Sequence, residues 1–282
     1  MAITTASTAA LTLLAGGRRP LRVHSVFPSG VNLRCGDYLV HAGSRRDGGA
    51  ASLGVTAQDV KLLGRHPAWE WTGEALMADD GSATVGLAAT VDRYPTSPPT
   101  APVLSAATPG RLERARAAAD GVSWFDTEPG LGLGLPQLRA ALSALVQQAP
   151  EAAVLVYGII GLGAGLTPSA DDAVVGALCL LSSLGRVPPG FLDDLRVWLR
   201  GAGVASTTDV SMSYLRLAVE GAFSAPLNRA VAALTASSTQ ADLEESVLAL
   251  CDMGATSGLD TTRGLQIVCE LLTRPLRGPE AS

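Results

Sequence analysis

The sequence predicts an α+β protein in which a β-rich N-terminal domain precedes a mainly helical C-terminal domain. Before residue 94, short runs of β-branched residues are separated by Gly, Asp and Pro, as is typical of strands. After residue 110, apolar residues recur at helical spacing. Residues 94–110 contain five prolines and show neither pattern, so they predict an extended linker. We therefore place the two domains at 1–100 and 101–282.

The first domain is predicted to contain one short helix and several strands. Residues 9–15 are apolar, but no basic residue precedes them and Arg18 and Arg19 follow. This arrangement favours a helix over a secretory signal peptide. The predicted strands cover residues 21–27, 31–33, 38–41 and 84–91.

The second domain is predicted to be a helical assembly, because apolar periodicity recurs between Gly and Pro stop signals. The predicted helices cover residues 112–119, 135–148, 172–184, 191–200, 211–223, 243–253 and 260–272. The Val-rich apolar run 154–159 predicts one buried strand among them.

Composition and charge weigh against several classes of partner. The net charge is −5 and aromatic residues make up 4%, so we expect neither a phosphate-backbone site nor a stacking platform for nucleic acid. No apolar stretch reaches the roughly 20 residues that a membrane-spanning helix needs, so we expect no membrane partner. The cysteines form no CxxC pair, which favours reduced thiols and a cytoplasmic location. They are Cys35, Cys179, Cys251 and Cys269.

The densest group of candidate functional residues is the segment GLGAGLTPSADD at 161–172. Gly161, Gly163 and Gly165 lack the Cβ atoms that keep a ligand away from backbone N–H groups. Thr167 and Ser169 add hydroxyl groups, and a helix start follows. The segment therefore predicts a loop that binds phosphate or carboxylate. It is not a P-loop, because no Lys follows the last glycine.

A structural interpretation of this segment stays open beside the functional one. The glycines would then only let the loop pass close to packed helices, and Ser169 or Asp171 would cap the helix. Asp171 and Asp172 are adjacent, and successive helical side chains point about 100° apart. One carboxylate can therefore face a ligand or a Mg²⁺ ion, although acidic pairs are also favoured at any helix start. Both aspartates are candidate magnesium ligands.

Two further polar clusters precede predicted helices in the same domain. The first contains Thr207, Thr208 and Ser211, and the second contains Thr256, Ser257 and Asp260. Taken singly, each cluster fits an ordinary helix cap. Taken together with the glycine segment, they predict one pocket between the domains, around which the three clusters face one another.

The remaining candidates give weaker signals. His24, His41 and His66 are scattered without the spacing of metal ligands. Arg216 and Arg263 follow the polar clusters and are candidates to clamp a carboxylate, with plain surface exposure as the alternative.

Three motifs of this chain resemble the AllH-type family, which includes one subunit of a bacterial oxamate carbamoyltransferase of allantoin breakdown. The family patterns GLGxGLTPSGDD, TTxxS and TSGxD are similar to residues 161–172, 207–211 and 256–260. Residues 24–27 and 31–33 also resemble its opening strands. Two positions depart from the family pattern. Ala170 stands where Gly is usual, and Ala255 stands where a His often precedes Thr-Ser-Gly.

The resemblance implies an enzyme of ureide metabolism, either a carbamoyltransferase or a subunit of one. The reaction would transfer a carbamoyl group between a ureido acid such as oxalurate and phosphate, and would form carbamoyl phosphate. The resemblance also implies companion subunits in a homo- or hetero-oligomer. No cofactor is certain, although Mg²⁺ fits the paired aspartates.

Roles for the candidate residues follow from this reading. We expect Asp172, Asp260 and Ser169 to be catalytic. The residues expected to bind substrate or phosphate are Gly161, Gly163, Gly165, Thr167, Thr207, Thr208, Ser211, Thr256 and Ser257. Two alternatives stay open: a Mg²⁺-dependent hydrolase of a phosphate or glycosidic ester, and a ligand-binding subunit without catalysis.

Overall fold

The computed structural model describes residues 1–44, 48–100, 102–127, 130–235 and 237–274. Residue 101, in the predicted linker, lies outside the described residues. The chain divides into two compact units. The first comprises Met1–Ser97 with Glu220–Ala225, and the second comprises Pro98–Val219 with Pro226–Ser282. The predicted α+β class is confirmed.

The first unit is built on a closed eight-stranded barrel with the strand order β1-β5-β4-β3-β2-β6-β7-β8. The barrel closes because β1 pairs antiparallel with β5 and parallel with β8. The strands are β1 (Ala2–Ser7), β2 (Arg19–Phe27), β3 (Gly30–Cys35), β4 (Tyr38–Gly43), β5 (Ser52–Gly54), β6 (Ala68–Trp71), β7 (Ala75–Ala78) and β8 (Thr84–Tyr94). Alternate residues such as Val31, Leu33, Trp69 and Trp71 fill its core.

All four predicted strands of this unit are confirmed by β2, β3, β4 and β8. The predicted first helix is confirmed as α1 (Thr8–Leu14), which the Ser7 hydroxyl caps through the Ala10 N–H. Four strands and helix α2 (Ala57–Leu63) were not predicted, although Thr56 and Asp59 form a capping box at the start of that helix. The closure of the sheet was not predicted either.

The second unit is helical. Its helices are α3 (Thr108–Ala117), α4 (Leu135–Val146), α5 (Ala152–Ile159), α6 (Ser169–Ser183), α7 (Phe191–Arg200), α8 (Asp209–Val219), α9 (Ala225–Ala233), α10 (Gln240–Cys251) and α11 (Ser257–Thr273). All seven predicted helices are confirmed, with ends that differ by a few residues. No helix in the described part of the chain is long and apolar enough to cross a membrane.

The predicted buried strand at 154–159 is wrong, because these residues belong to helix α5. A short apolar run does not distinguish a buried strand from a helix by its periodicity. Within α5, Val156 and Ile159 are buried and Val154 is 70% exposed. The run therefore has a one-sided helical burial pattern despite its β-branched residues.

Helices α6 and α11 pack against each other through glycines. A Cβ atom at Gly264 would collide with the carbonyl oxygen of Ala173, and one at Gly176 would collide with that of Thr261. The two backbones can approach this closely only because neither glycine carries a side chain. This contact fixes the helices whose first turns contain Asp172 and Asp260.

We expect Gly264→Ala to lower the free energy of unfolding by about 1–3 kcal/mol, because the added methyl group overpacks this helix pair. Gly158→Ala in α5 is the matched control, since a Cβ atom there has nothing within 4 Å. That change should be neutral or stabilising, by at most about 1 kcal/mol. Urea unfolding of both variants measures the difference, and equal stabilities would contradict the close helix contact.

Candidate functional site

The carboxylate of Asp171 connects three segments of the helical unit. Its Oδ1 accepts the backbone N–H of Gly161 at 2.7 Å. Its Oδ2 accepts the hydroxyl groups of Thr207 and Ser211, each at 2.5 Å. The side chain is buried, and both of its oxygens have donors. Asp171 therefore fixes the start of the glycine segment against the start of α8.

The glycines of the loop, which we define as residues 161–167, have two different functions. A Cβ atom at Gly161 would collide with the Ser206 carbonyl, and one at Gly163 would lie 2.5 Å from the Ser169 nitrogen. Both residues also have positive φ, at 88° and 120°. Gly165 has a φ of 94° but open space around it. The first two glycines thus allow close packing, whereas the third only allows the turn.

The loop presents backbone donors that the chain itself does not use. Within the described residues, the N–H groups of residues 163–167 have no hydrogen-bond acceptor. Ala164, Gly165 and Leu166 are exposed, and Gly163 and Thr167 are half-buried. Accessible N–H groups without partners are the donor set that an anion-binding loop requires.

The three predicted clusters contact one another, and all the contacts lie within the helical unit. The Thr208 hydroxyl donates to the Leu166 carbonyl oxygen, which joins the second cluster to the loop. The Thr167 and Ser257 hydroxyl oxygens are 2.5 Å apart, which joins the third cluster to it. Thr208 also accepts the Ser211 N–H and so caps α8. Thr256 precedes α11 without a capping hydrogen bond from its side chain.

Asp172 lies beside this loop and is 92% buried, with 8% of its surface exposed. Its Oδ2 has no hydrogen-bond partner among the described residues. Burial raises the pKa of Asp172 well above its ordinary value of 3.8. The nearby Thr167 hydroxyl opposes this rise, and the negative charge of Asp260 adds to it. Ser169 and Asp171, the two predicted caps, do not cap α6, because its N-cap residue is Pro168.

Asp260 is fully buried, and one of its two oxygens has donors. Its Oδ1 accepts the Ser123 hydroxyl at 2.6 Å and the Trp124 N–H at 3.0 Å. Its Oδ2 has no partner in the described chain, and neither has the buried hydroxyl of Ser169. Burial raises the pKa of Asp260, and the nearby Ser123 and Ser169 hydroxyls oppose the rise. Asp172, Asp260 and Ser169 form a group that we call the acidic cluster.

The sequence analysis missed the segment that orients Asp260. Ser123 begins a 3₁₀ turn, Trp124–Asp126, and accepts the Phe125 N–H. Asp126 of this turn pairs with Arg116 at 2.9 Å and also with Arg263. A Ser before a short turn indicates a local cap at most. Nothing in the sequence indicates its contact with a carboxylate 137 positions away.

The arginine candidates have partners outside the loop and the acidic cluster, and the histidine candidates lie in the other unit. Arg263 is buried in the ion pair with Asp126, and Arg216 donates to the Leu199 carbonyl oxygen at 2.8 Å. His24, His41 and His66 belong to the barrel unit. All four cysteines are buried and free.

The structure distinguishes the two candidate magnesium ligands. Both oxygens of Asp171 accept hydrogen bonds, whereas Asp172 keeps one oxygen without a partner. Within the described ranges, no group of three or more His, Cys, Asp or Glu side chains is arranged to hold a metal ion. Asp172, with water and ligand oxygens, is therefore the side chain that would hold Mg²⁺, and this stays a prediction.

The site coincides with a match to a known family. Residues 159–269 match the family model of the oxamate carbamoyltransferase subunit AllH. The match confirms the resemblance of the three motifs to the AllH-type family, whereas residues 24–27 and 31–33 lie outside the matched segment. Residues 159–269, which we call the AllH segment, contain the glycine loop, both further clusters and the acidic cluster. Ser123 and the barrel lie outside this segment. No solved structure matches the chain significantly.

We expect Asp171→Asn and Asp172→Asn to change stability differently. The first places an amide donor among three existing donors, so it should lower the free energy of unfolding by about 1–3 kcal/mol. The second removes a buried charge without removing a partner of Oδ2, so it should leave stability unchanged or raise it. Urea unfolding at neutral pH compares the two variants.

The same comparison has a pH dependence with a definite sign. The pKa of Asp172 is higher in the folded state than its ordinary value of 3.8, which applies to the unfolded chain. Such a carboxyl group stabilises the folded state fully at a pH below 3.8, and this stabilisation is lost as the pH rises through the folded-state pKa. The advantage of Asp172→Asn over the native chain should therefore grow as the pH rises above about 4. A constant difference between pH 4 and 8 would show that Asp172 is not held in an environment that disfavours its charge.

Proposed function

We propose that this chain is a carbamoyltransferase-like enzyme or a subunit of one. It acts on a small ureido acid and phosphate, and in the reverse direction on carbamoyl phosphate. One observation carries the proposal: two features lie next to each other inside the AllH segment. These are a loop of accessible backbone donors and, beside it, a buried acidic cluster with oxygens that lack partners.

The loop is suited to the phosphate group. Phosphate oxygens are acceptors, and the N–H groups of residues 163–167 are donors without acceptors in the described chain. The half-buried Thr167 and Ser257 hydroxyls lie 2.5 Å apart at the border between loop and acidic cluster. From there they can orient a substrate that contacts both. Donors in this position would also stabilise the negative charge that develops on the carbamoyl oxygen.

Asp172 is suited to proton transfer. When phosphate attacks the carbamoyl carbon, the C–N bond breaks and the leaving nitrogen must take up a proton. When an amide nitrogen attacks carbamoyl phosphate, that nitrogen must lose one. A buried carboxyl with a raised pKa can serve as the acid in the first direction and as the base in the second.

The involvement of companion subunits is supported by the family description, which names a subunit of oxamate carbamoyltransferase. We propose that this chain functions with such partners. Activity assays are therefore best performed on the chain alone and on material purified with its partners.

The test is phosphorolysis. With oxalurate and phosphate, the native protein should form carbamoyl phosphate, detected by ³¹P NMR. Asp172→Asn should reduce turnover by about a hundredfold or more, as expected for loss of a general acid or base. Asp252→Asn is the matched control, because Asp252 is exposed at the end of α10 and should be dispensable.

Product formed only with partners present supports the subunit form of the proposal. No product from either preparation, with any ureido acid tried, would contradict it. A folded Asp172→Asn variant with unchanged turnover would remove this residue from the catalytic step.

A further inference from the structure

The acidic cluster contains three buried oxygen atoms that have no hydrogen-bond partner among the described residues. They are Asp172 Oδ2, Asp260 Oδ2 and Ser169 Oγ. Their residues are 8%, 0% and 1% exposed. Buried polar atoms are nearly always paired, and an unpaired one costs free energy. Three of them beside one loop indicate a ligand that supplies donors.

The chemistry of this cluster excludes the anionic part of a substrate. Two carboxyl groups lie close enough for the charge of Asp260 to affect Asp172. A phosphate or carboxylate group among them would add a further charge and further acceptor oxygens to a buried place that already disfavours charge. The anionic part of the substrate therefore belongs at the loop, and the acidic cluster is left for a neutral group with N–H bonds.

The hydrogen bonds to the Asp260 carboxylate determine which of its two oxygens can accept a hydrogen bond from a ligand. The Ser123 hydroxyl and the Trp124 N–H both donate to Oδ1. Within the part of the chain that the structure describes, Oδ2 has no donor at hydrogen-bond distance, and the Ser169 hydroxyl lies nearby. A primary amide N–H₂ group has two donors and can donate to both atoms at once.

We propose that Asp260 Oδ2 and Ser169 Oγ bind the terminal N–H₂ group of a carbamoyl or ureido substrate, with the anionic end at the glycine loop. The inference rests on the proposed function and adds an orientation and a specificity to it. With the terminal amide at Asp260 and Ser169, Asp172 is the neighbouring carboxyl group that would serve the nitrogen at the bond that breaks. Ser123 is then a positioning residue, because it fixes the acceptor atom of Asp260.

A comparison of carbamoyl phosphate with acetyl phosphate tests this inference. The two molecules have nearly the same shape, but acetyl phosphate has a methyl group in place of the N–H₂ group. Isothermal titration calorimetry on the full chain should show that carbamoyl phosphate binds at least about tenfold more tightly, because the methyl group of acetyl phosphate leaves the buried acceptors without donors. Inorganic phosphate, which contains neither group, reports on the loop alone.

Asp260→Asn is the most informative variant. The Asn carbonyl oxygen should replace Oδ1, because Ser123 and Trp124 require an acceptor there. The Asn amide nitrogen then replaces Oδ2 and presents a donor where the proposal requires an acceptor. In this variant, carbamoyl phosphate and acetyl phosphate should bind with about equal affinity, while the affinity for inorganic phosphate stays within about twofold of the native value.

Ser169→Ala provides a second variant in case Asp260→Asn does not fold, and should reduce the preference by a smaller factor. Asp252→Asn is the control and should retain the native preference.

The outcomes separate the inference from the proposed function. Phosphate binding with equal affinities for the two acyl phosphates overturns the inference alone. A native preference that persists in both Asp260→Asn and Ser169→Ala also overturns it. A preference that appears only when Mg²⁺ is added overturns it in favour of a cation at the cluster. If none of the three compounds binds to the chain or to its complex with partners, the proposed function fails as well.

Discussion

The hydrogen bonds of the Asp171 carboxylate are the constraint on which the site depends. They join the first glycine of the loop to α6 and, through Thr207 and Ser211, to the start of α8. Because both oxygens are occupied, the carboxylate of Asp171 stabilises the structure and is not available to a ligand. Asp172, the next residue, is buried without a partner for one oxygen. Adjacent positions on one helical turn thus separate a fully hydrogen-bonded carboxylate from one that keeps an oxygen without a partner among the described residues.

The site combines two regions of opposite hydrogen-bonding character. Accessible N–H groups of residues 163–167 supply donors, and the acidic cluster supplies buried acceptors. The Thr167 and Ser257 hydroxyls lie between the two regions. The close contact of α6 with α11 at Gly176 and Gly264 holds the acidic cluster together. In the proposed function, the anionic end of the substrate binds the donors and its amide end binds the acceptors.

The sequence predicted the elements of the fold better than their arrangement. Helices were readable because apolar periodicity and Gly or Pro stop signals are local. The run 154–159 was misassigned because a short Val-rich segment fits both structures, and barrel closure depends on the pairing of β1 with β8, which no local pattern encodes. For the site, the motifs indicated three polar segments that the structure brings into contact. They did not show that Asp171 is fully hydrogen-bonded or that Ser123 orients Asp260, because those contacts join distant segments.

Amide NMR on ¹⁵N-labelled protein during titration with inorganic phosphate tests the central claim most directly. If the loop held by Asp171 binds anions, the N–H signals of Gly163, Ala164 and Gly165 should shift most and saturate together. In folded Asp171→Asn protein, the same signals should respond more weakly, because the loop loses its attachment to α6. Saturating shifts that fall instead on the first turns of other helices, or an unchanged response in Asp171→Asn, would contradict the account.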